Sequence, residues 1–273
     1  MNKKQNTIEK EMVLEGAGIH TGKKCVLRLV PAPPDTGVVF VRTDLPDNPE
    51  VEARFDNLVP TSRRTSLAAN GARVETVEHL LAAMFVLCVD NCRVEINSAE
   101  LPALDGSGLP YYNLLISCGV CEVDASARMI TVETPVEVRS GDAFIKATPA
   151  PALSVSYRLS YPSVGLEQQF ACAINPATFA EDIAPARTFV LEEEINKLVQ
   201  AGYGKGANED NTVVLTSEGP RGELRMANEP ARHKVLDLLG DVFYLGGRLL
   251  GRIECERSGH SLNRELVKAL LEG

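Results

Sequence analysis

The sequence predicts an α+β protein made of two similar halves, with a βαβ-like insertion in the second. Strand-like runs, an amphipathic helix, another strand, a glycine-containing loop and a closing helix occur in that order twice. The spacing agrees: Gly106 follows His79 by 27 positions, and Gly259 follows His233 by 26. A polar segment at 123–128 separates the patterns, which gives an N-terminal domain at 1–125 and a C-terminal domain at 126–273.

In the first half, strand-like runs at 25–30 and 37–43 flank the turn-rich Pro31-Ala32-Pro33-Pro34-Asp35. A helix is expected over 74–87, where Val77, Leu80, Leu81, Met84, Phe85 and Cys88 recur at helical spacing. A strand at 92–96, the loop Asp105-Gly106-Ser107-Gly108 and a helix with Pro110 in its first turn follow. The second half has strand-like runs at 129–138, 143–148 and 153–161. Its helix begins near Pro230 and ends at Gly246-Gly247. A strand (249–255), the Ser258-Gly259 loop and a last helix (261–271) complete it. The insertion, about 189–215, reads as a helix (191–201), a glycine-rich turn and a strand (212–215). Its glycines follow a helix and precede a strand, the reverse of what a phosphate loop needs.

The 273 residues carry a net charge of −9, with 44% hydrophobic and 24% charged residues. No basic stripe offers the counterion release that nucleic-acid binding uses. No apolar run is long enough for a membrane span, and the polar N-terminus does not resemble a secretory signal, so a cytoplasmic location is expected. No heptad run suggests assembly, and a monomer is expected. The odd count of seven cysteines argues for reduced thiols. Cys88, Cys92, Cys118 and Cys121 could be read as a four-thiolate zinc knuckle, but Cys88 and Cys118 continue apolar runs and fit a core better.

Only four histidines exist: His20, His79, His233 and His260. His233, Asp237 and Asp241 follow at steps of four, so one side of the helix opened by Pro230 carries all three. Taken alone, His233 and Asp237 suit a divalent metal, but for an isolated pair an exposed helix face with an internal hydrogen bond is the more common reading. Glu78-His79 adds a third ligand with an adjacent general base. Three protein ligands leave a position for water, as a catalytic zinc site requires, and the metal lowers the pKa of that water to roughly 7. Glu78 alone could also be an acid favoured at a helix N-terminus. His260, in its tight loop, fits a merely structural histidine as often as a functional one; beside the helix carrying Asp241, a carboxylate would favour the imidazolium and make a general acid.

Six strings then stand in order: Gly16-Ala17-Gly18-Ile19-His20-Thr21-Gly22, Thr76-Val77-Glu78-His79-Leu80, Pro102-Ala103-Leu104-Asp105-Gly106-Ser107, Ala186-Arg187-Thr188-Phe189, Arg232-His233-Lys234-Val235-Leu236-Asp237-Leu238-Leu239-Gly240-Asp241 and Ser258-Gly259-His260-Ser261-Leu262-Asn263. Over about residues 8–271 they resemble the UDP-3-O-acyl-N-acetylglucosamine deacetylase family. The resemblance implies two two-layer sandwiches facing each other. It also implies hydrolysis of a sugar acetamide with release of acetate, the committed step of lipid A biosynthesis. It implies one Zn²⁺, or Fe²⁺, on His79, His233 and Asp237, with Glu78 as general base. His260 would be the general acid, oriented by Asp241, and Thr188 would stabilise the oxyanion. Lys234 would contact the charged part of an acylated UDP-amino-sugar, Phe189 would line the sugar site, and Tyr161 would stack on uracil. The insertion would form an acyl-chain tunnel lined by Phe189, Leu191, Val213 and Leu215. Alternatives are a zinc amidohydrolase of another N-acetylated sugar nucleotide and a non-catalytic binding homologue. The segment Ser62-Arg63-Arg64-Thr65-Ser66-Leu67 is unusually basic for the family, Met226-Ala227-Asn228 and the loop at 204–208 also depart from its pattern, and the chain ends soon after its last helix.

Overall fold

The repeated order of elements corresponds to one connectivity used twice in the computed structural model. It describes residues 3–273; Met1 and Asn2, at the start of the polar N-terminal segment, lie outside the described residues. The first half carries β1 (Met12–Ala17), β2 (Lys24–Pro31), β3 (Val38–Arg42), β4 (Glu50–Glu52), α1 (Glu78–Val86), β5 (Cys92–Ile96) and α2 (Leu109–Cys118). The second carries β6 (Val136–Ser140), β7 (Ala143–Thr148), β8 (Ser154–Tyr161) and β9 (Leu166–Ala173). The insertion follows, with β10 (Thr188–Leu191), α3 (Glu192–Gln200), β11 (Thr212–Thr216) and β12 (Gly219–Arg221). Then come α4 (Glu229–Val242), β13 (Arg252–Glu256) and α5 (His260–Glu272). The sheets are ordered β1-β2-β5-β3-β4 and β6-β7-β13-β8-β9, so the fifth strand of each inserts between its second and third. In both, that strand runs parallel to the third and antiparallel to the second.

Three expectations change. The helix expected from residue 74 starts at Glu78, because Ala72–Glu75 pairs as a strand with Ser66–Ala69. Thr76, at φ +59°, turns the chain between strand and helix. The polar segment at 123–128 is no linker in its first part: Val120–Ser126 is a half-buried strand pairing antiparallel with Lys4–Ile8. The run at 129–138 is two strands, Met129–Thr131 and β6, on different partners. The insertion also has a counterpart. Three short strands within 58–75 form a sheet between β4 and α1, where the second half places its own three-stranded insertion.

The halves meet along α1 and α4, which pack on each other within one continuous hydrophobic cluster. The close approach depends on Gly240: a Cβ there would lie 2.2 Å from the Glu78 carbonyl oxygen. Gly240→Ala is therefore expected to cost about 1–3 kcal/mol and to lower metal occupancy, since pushing α4 away separates His233 and Asp237 from His79. Urea denaturation and metal analysis check this; an unchanged midpoint with full metal binding would refute it.

Candidate active site and metal centre

The α1–α4 contact is where the chemistry-bearing residues meet. The polar stripe of α4 is not on a solvent face: His233, Asp237 and Asp241 are all buried, turned towards the first half. The Nε2 atoms of His79 and His233 lie 3.6 and 3.4 Å from Asp237 Oδ1. These separations are long for hydrogen bonds. They match ligand atoms sharing one ion, since two ligands about 2.1 Å from a tetrahedral centre lie about 3.4 Å apart. The two imidazoles stand edge to face, 5.0 Å between centroids. His233 Nδ1 is 3.0 Å from the Ala186 carbonyl. With the proton donated there, the Nε2 lone pair faces Asp237, which is how a second partner orients a ligand imidazole. Burial lowers the His233 pKa to about 4, keeping the ring neutral as a ligand must be. Burial works against the charge of Asp237, but the Lys234 ammonium, 2.7 Å from Oδ2, and the imidazoles hold its carboxyl well below the usual range. Among the described residues, His79, His233 and Asp237 are the one group of three or more such side chains arranged to hold a metal. Among the described residues no cysteine belongs to such a group, and all seven are free thiols.

Two groups flank this centre. Glu78 is buried and its Oε2 accepts the Thr65 N–H at 3.1 Å; burial pushes its carboxyl pKa up. His260, the first residue of α5, holds Nδ1 2.8 Å from Asp241 Oδ2, and its Nε2 is 3.9 Å from Asp237 Oδ2. Burial disfavours the imidazolium, but the Asp241 carboxylate overrides it and raises the His260 pKa to about 9. Asp241 also accepts from Asn263 Nδ2 at 2.9 Å and from the Thr65 hydroxyl at 2.6 Å.

Thr65 thus ties Glu78 to the Asp241–His260 pair, and the sequence reading missed it. A threonine before a strand has no signature, and its partner Asp241 lies 176 positions away. Glu229 was missed as well. Fully buried at the start of α4, its carboxylate accepts from the Arg187 and Arg225 backbone N–H groups and from the Arg187 guanidinium. Arg187 precedes Thr188, so this knot fixes where β10 begins.

A cavity of about 410 Å³ opens onto the centre, lined by Glu78, His79, Thr188, Phe189, His233 and Asp237 among others. Thr188 is held there by its N–H donating to the Gly106 carbonyl at 2.9 Å, and Phe189 lies edge-on to His233. Two candidates stand elsewhere: Lys234 and Tyr161 are not in the lining. The Lys234 ammonium is engaged by Asp237, and Tyr161 packs edge-on against Phe189, 5.9 Å between centroids. The tunnel wall also needs correcting. Leu191, Val213 and Leu215 turn into a separate small core with Leu166 and Leu224, while Val190 and Val214 join Phe189 in the cavity. In a strand successive side chains alternate faces, and β10 and β11 pair with Val190 opposite Val214, so this pair shares the cavity face. From α3, Ile195, Leu198 and Val199 complete that wall.

Comparison with known proteins agrees with this geometry. The profile of the family described as UDP-3-O-acyl N-acetylglycosamine deacetylase matches residues 5–272. A UDP-3-O-acyl-N-acetylglucosamine deacetylase from Anaeromyxobacter sp. (strain Fw109-5) is 41% identical over 272 residues, covering 98% of this chain and 88% of the relative. Enzymes of the same name from Thermodesulfovibrio yellowstonii and Xanthomonas campestris pv. campestris are 37% and 38% identical, covering 98% of this chain and 92% and 90% of theirs. With the profile spanning nearly every residue and all six strings inside it, the chain belongs to the UDP-3-O-acyl N-acetylglycosamine deacetylase family.

Proposed function

We infer that the protein hydrolyses the acetamide of UDP-3-O-acyl-N-acetylglucosamine, releasing acetate in lipid A biosynthesis. The observation that carries this reading is the convergence of His79, His233 and Asp237 on one point, with Glu78 and the Asp241-held His260 beside it. A divalent cation on this donor set supplies Lewis acidity to the amide carbonyl and acidity to a water beside it. Two imidazoles and a carboxylate are ordinary zinc ligands and accept Fe²⁺ as well; we assign zinc.

The chain's own residues then divide the proton work. The Glu78 carboxylate takes the proton of the attacking water, its second oxygen steadied by the Thr65 N–H. The Thr188 hydroxyl donates to the oxygen on which negative charge develops. Protonated His260, kept cationic by Asp241, gives its Nε2 proton to the departing sugar amine. Phe189 lines the sugar's place, and the apolar wall of the insertion takes the acyl chain. Lys234 acts through Asp237 and reaches the substrate's charged part only by swinging out; Tyr161 meets the uracil beyond Phe189.

No described helix is long and apolar enough to cross a membrane. Seven free thiols fit a reducing, cytoplasmic setting, and we read the heptad-free chain as a monomer. The test is single-turnover acetate release from this substrate by metal-depleted protein, before and after one equivalent of Zn²⁺. Release should return with zinc; none in either state, with zinc shown to be bound, would reject the reading.

A further inference from the structure

Two walls bound the apolar part of the cavity. One belongs to the first half, with Ile19, Pro102 and Ala103; the other is the insertion, with Val190, Val214 and the inner face of α3. The walls are already tied at one place. The N–H groups of Lys205 and Gly206 donate to the His20 and Ile19 carbonyls at 3.2 and 3.0 Å. A Cβ on Gly206 would lie 2.2 Å from the Gly18 carbonyl oxygen, so this contact is backbone on backbone.

A second tie is made of charge. Arg63 lines the cavity from the first half, and its guanidinium pairs with Glu194 on α3. Its φ is +65°, a conformation that only glycine adopts freely. Such a turn persists where neighbours over-determine it, and Arg64 does so. Arg64 is buried, pairs with Glu75 at 3.2 Å and lies 5.0 Å above the Tyr203 ring. Arg64 thus reaches from Glu75 in the first half to Tyr203 in the insertion, and Arg63 spans the same gap beside it to Glu194.

We propose that the Arg63–Glu194 ion pair, bridging the two walls of the acyl passage, sets the upper length of the acyl chain the enzyme accepts. This rests on the deacetylase reading. Within the apolar stretch, each methylene removed from water raises kcat/KM about fourfold. A chain that reaches the pair gains no further apolar contact and must strip water from two charges or push them apart. Both groups are about one-third exposed, 36% and 33%, so the pair is a soft stop that yields to substitution.

The test measures kcat/KM of the zinc-loaded full chain over a series of UDP-3-O-acyl-N-acetylglucosamines of increasing acyl length. For the wild type, log kcat/KM should climb with length and then break. Arg63→Gly suits the left-handed backbone, and Glu194→Ala suits a helix surface, so neither strains the fold. Each should move the break outwards by about two carbons and raise the long-to-short specificity ratio about fifteenfold. A break at the wild-type length in both variants, or an even change across all lengths, overturns the proposal alone. No acetate release by the wild type from any member overturns it together with the deacetylase reading.

Discussion

Glu78→Gln is expected to lower kcat for acetate release by about 10²–10⁴-fold, with KM and bound zinc near wild-type levels. The substitution is close to isosteric. The Gln carbonyl can still accept the Thr65 N–H that now reaches Glu78 Oε2, so the link to the Asp241–His260 pair survives. What disappears is an oxygen able to hold a proton. The rival account, an acid merely favoured at the N-terminus of α1, makes a different prediction. It gives a stability loss of about 0.3–1 kcal/mol and no loss of turnover. Single-turnover kinetics, metal analysis and a urea denaturation midpoint on the same preparation separate the two. A kcat within tenfold of wild type would remove Glu78 from the base's role.

The candidate metal cluster was legible in part because its residues obey local rules. His233, Asp237 and Asp241 follow the helical period and His79 neighbours Glu78, so residue type and spacing nominated the cluster, and the family resemblance chose the ligand reading over an exposed helix face. That this stripe is buried against α1 was not legible, because an amphipathic pattern does not say which face meets a partner domain. Register was lost for the same reason in the insertion. Residue type nominated Leu191, Val213 and Leu215, whereas pairing and alternation turned Val190 and Val214 to the cavity. The helix boundary at 74–78 was blurred by Val74 and Val77, which fit a helical period although Val74 belongs to a strand. Thr65 was invisible because its role comes from a long-range contact and not from its neighbours in sequence.

That contact bears on the second large effect. His260→Ala should lower kcat about 10²–10⁴-fold, because the leaving amine loses its proton donor, while zinc content stays at the wild-type level. Asp241→Asn should cost less. The Asn carbonyl can still accept the His260 Nδ1–H that Asp241 takes at 2.8 Å, so the ring keeps its orientation but loses the charge that favours its cation. If Asp241 acts through His260, the two effects do not add: the double variant should match His260→Ala alone. If Asp241 merely braces the fold through Thr65 and Asn263, its loss persists in the double variant and the effects multiply. Asp241 is fully buried and His260 only about 10% exposed, so folding must be checked by denaturation before rates are compared. Given folded variants, multiplicative losses would detach Asp241 from the proton-transfer step and leave it a structural knot between the halves.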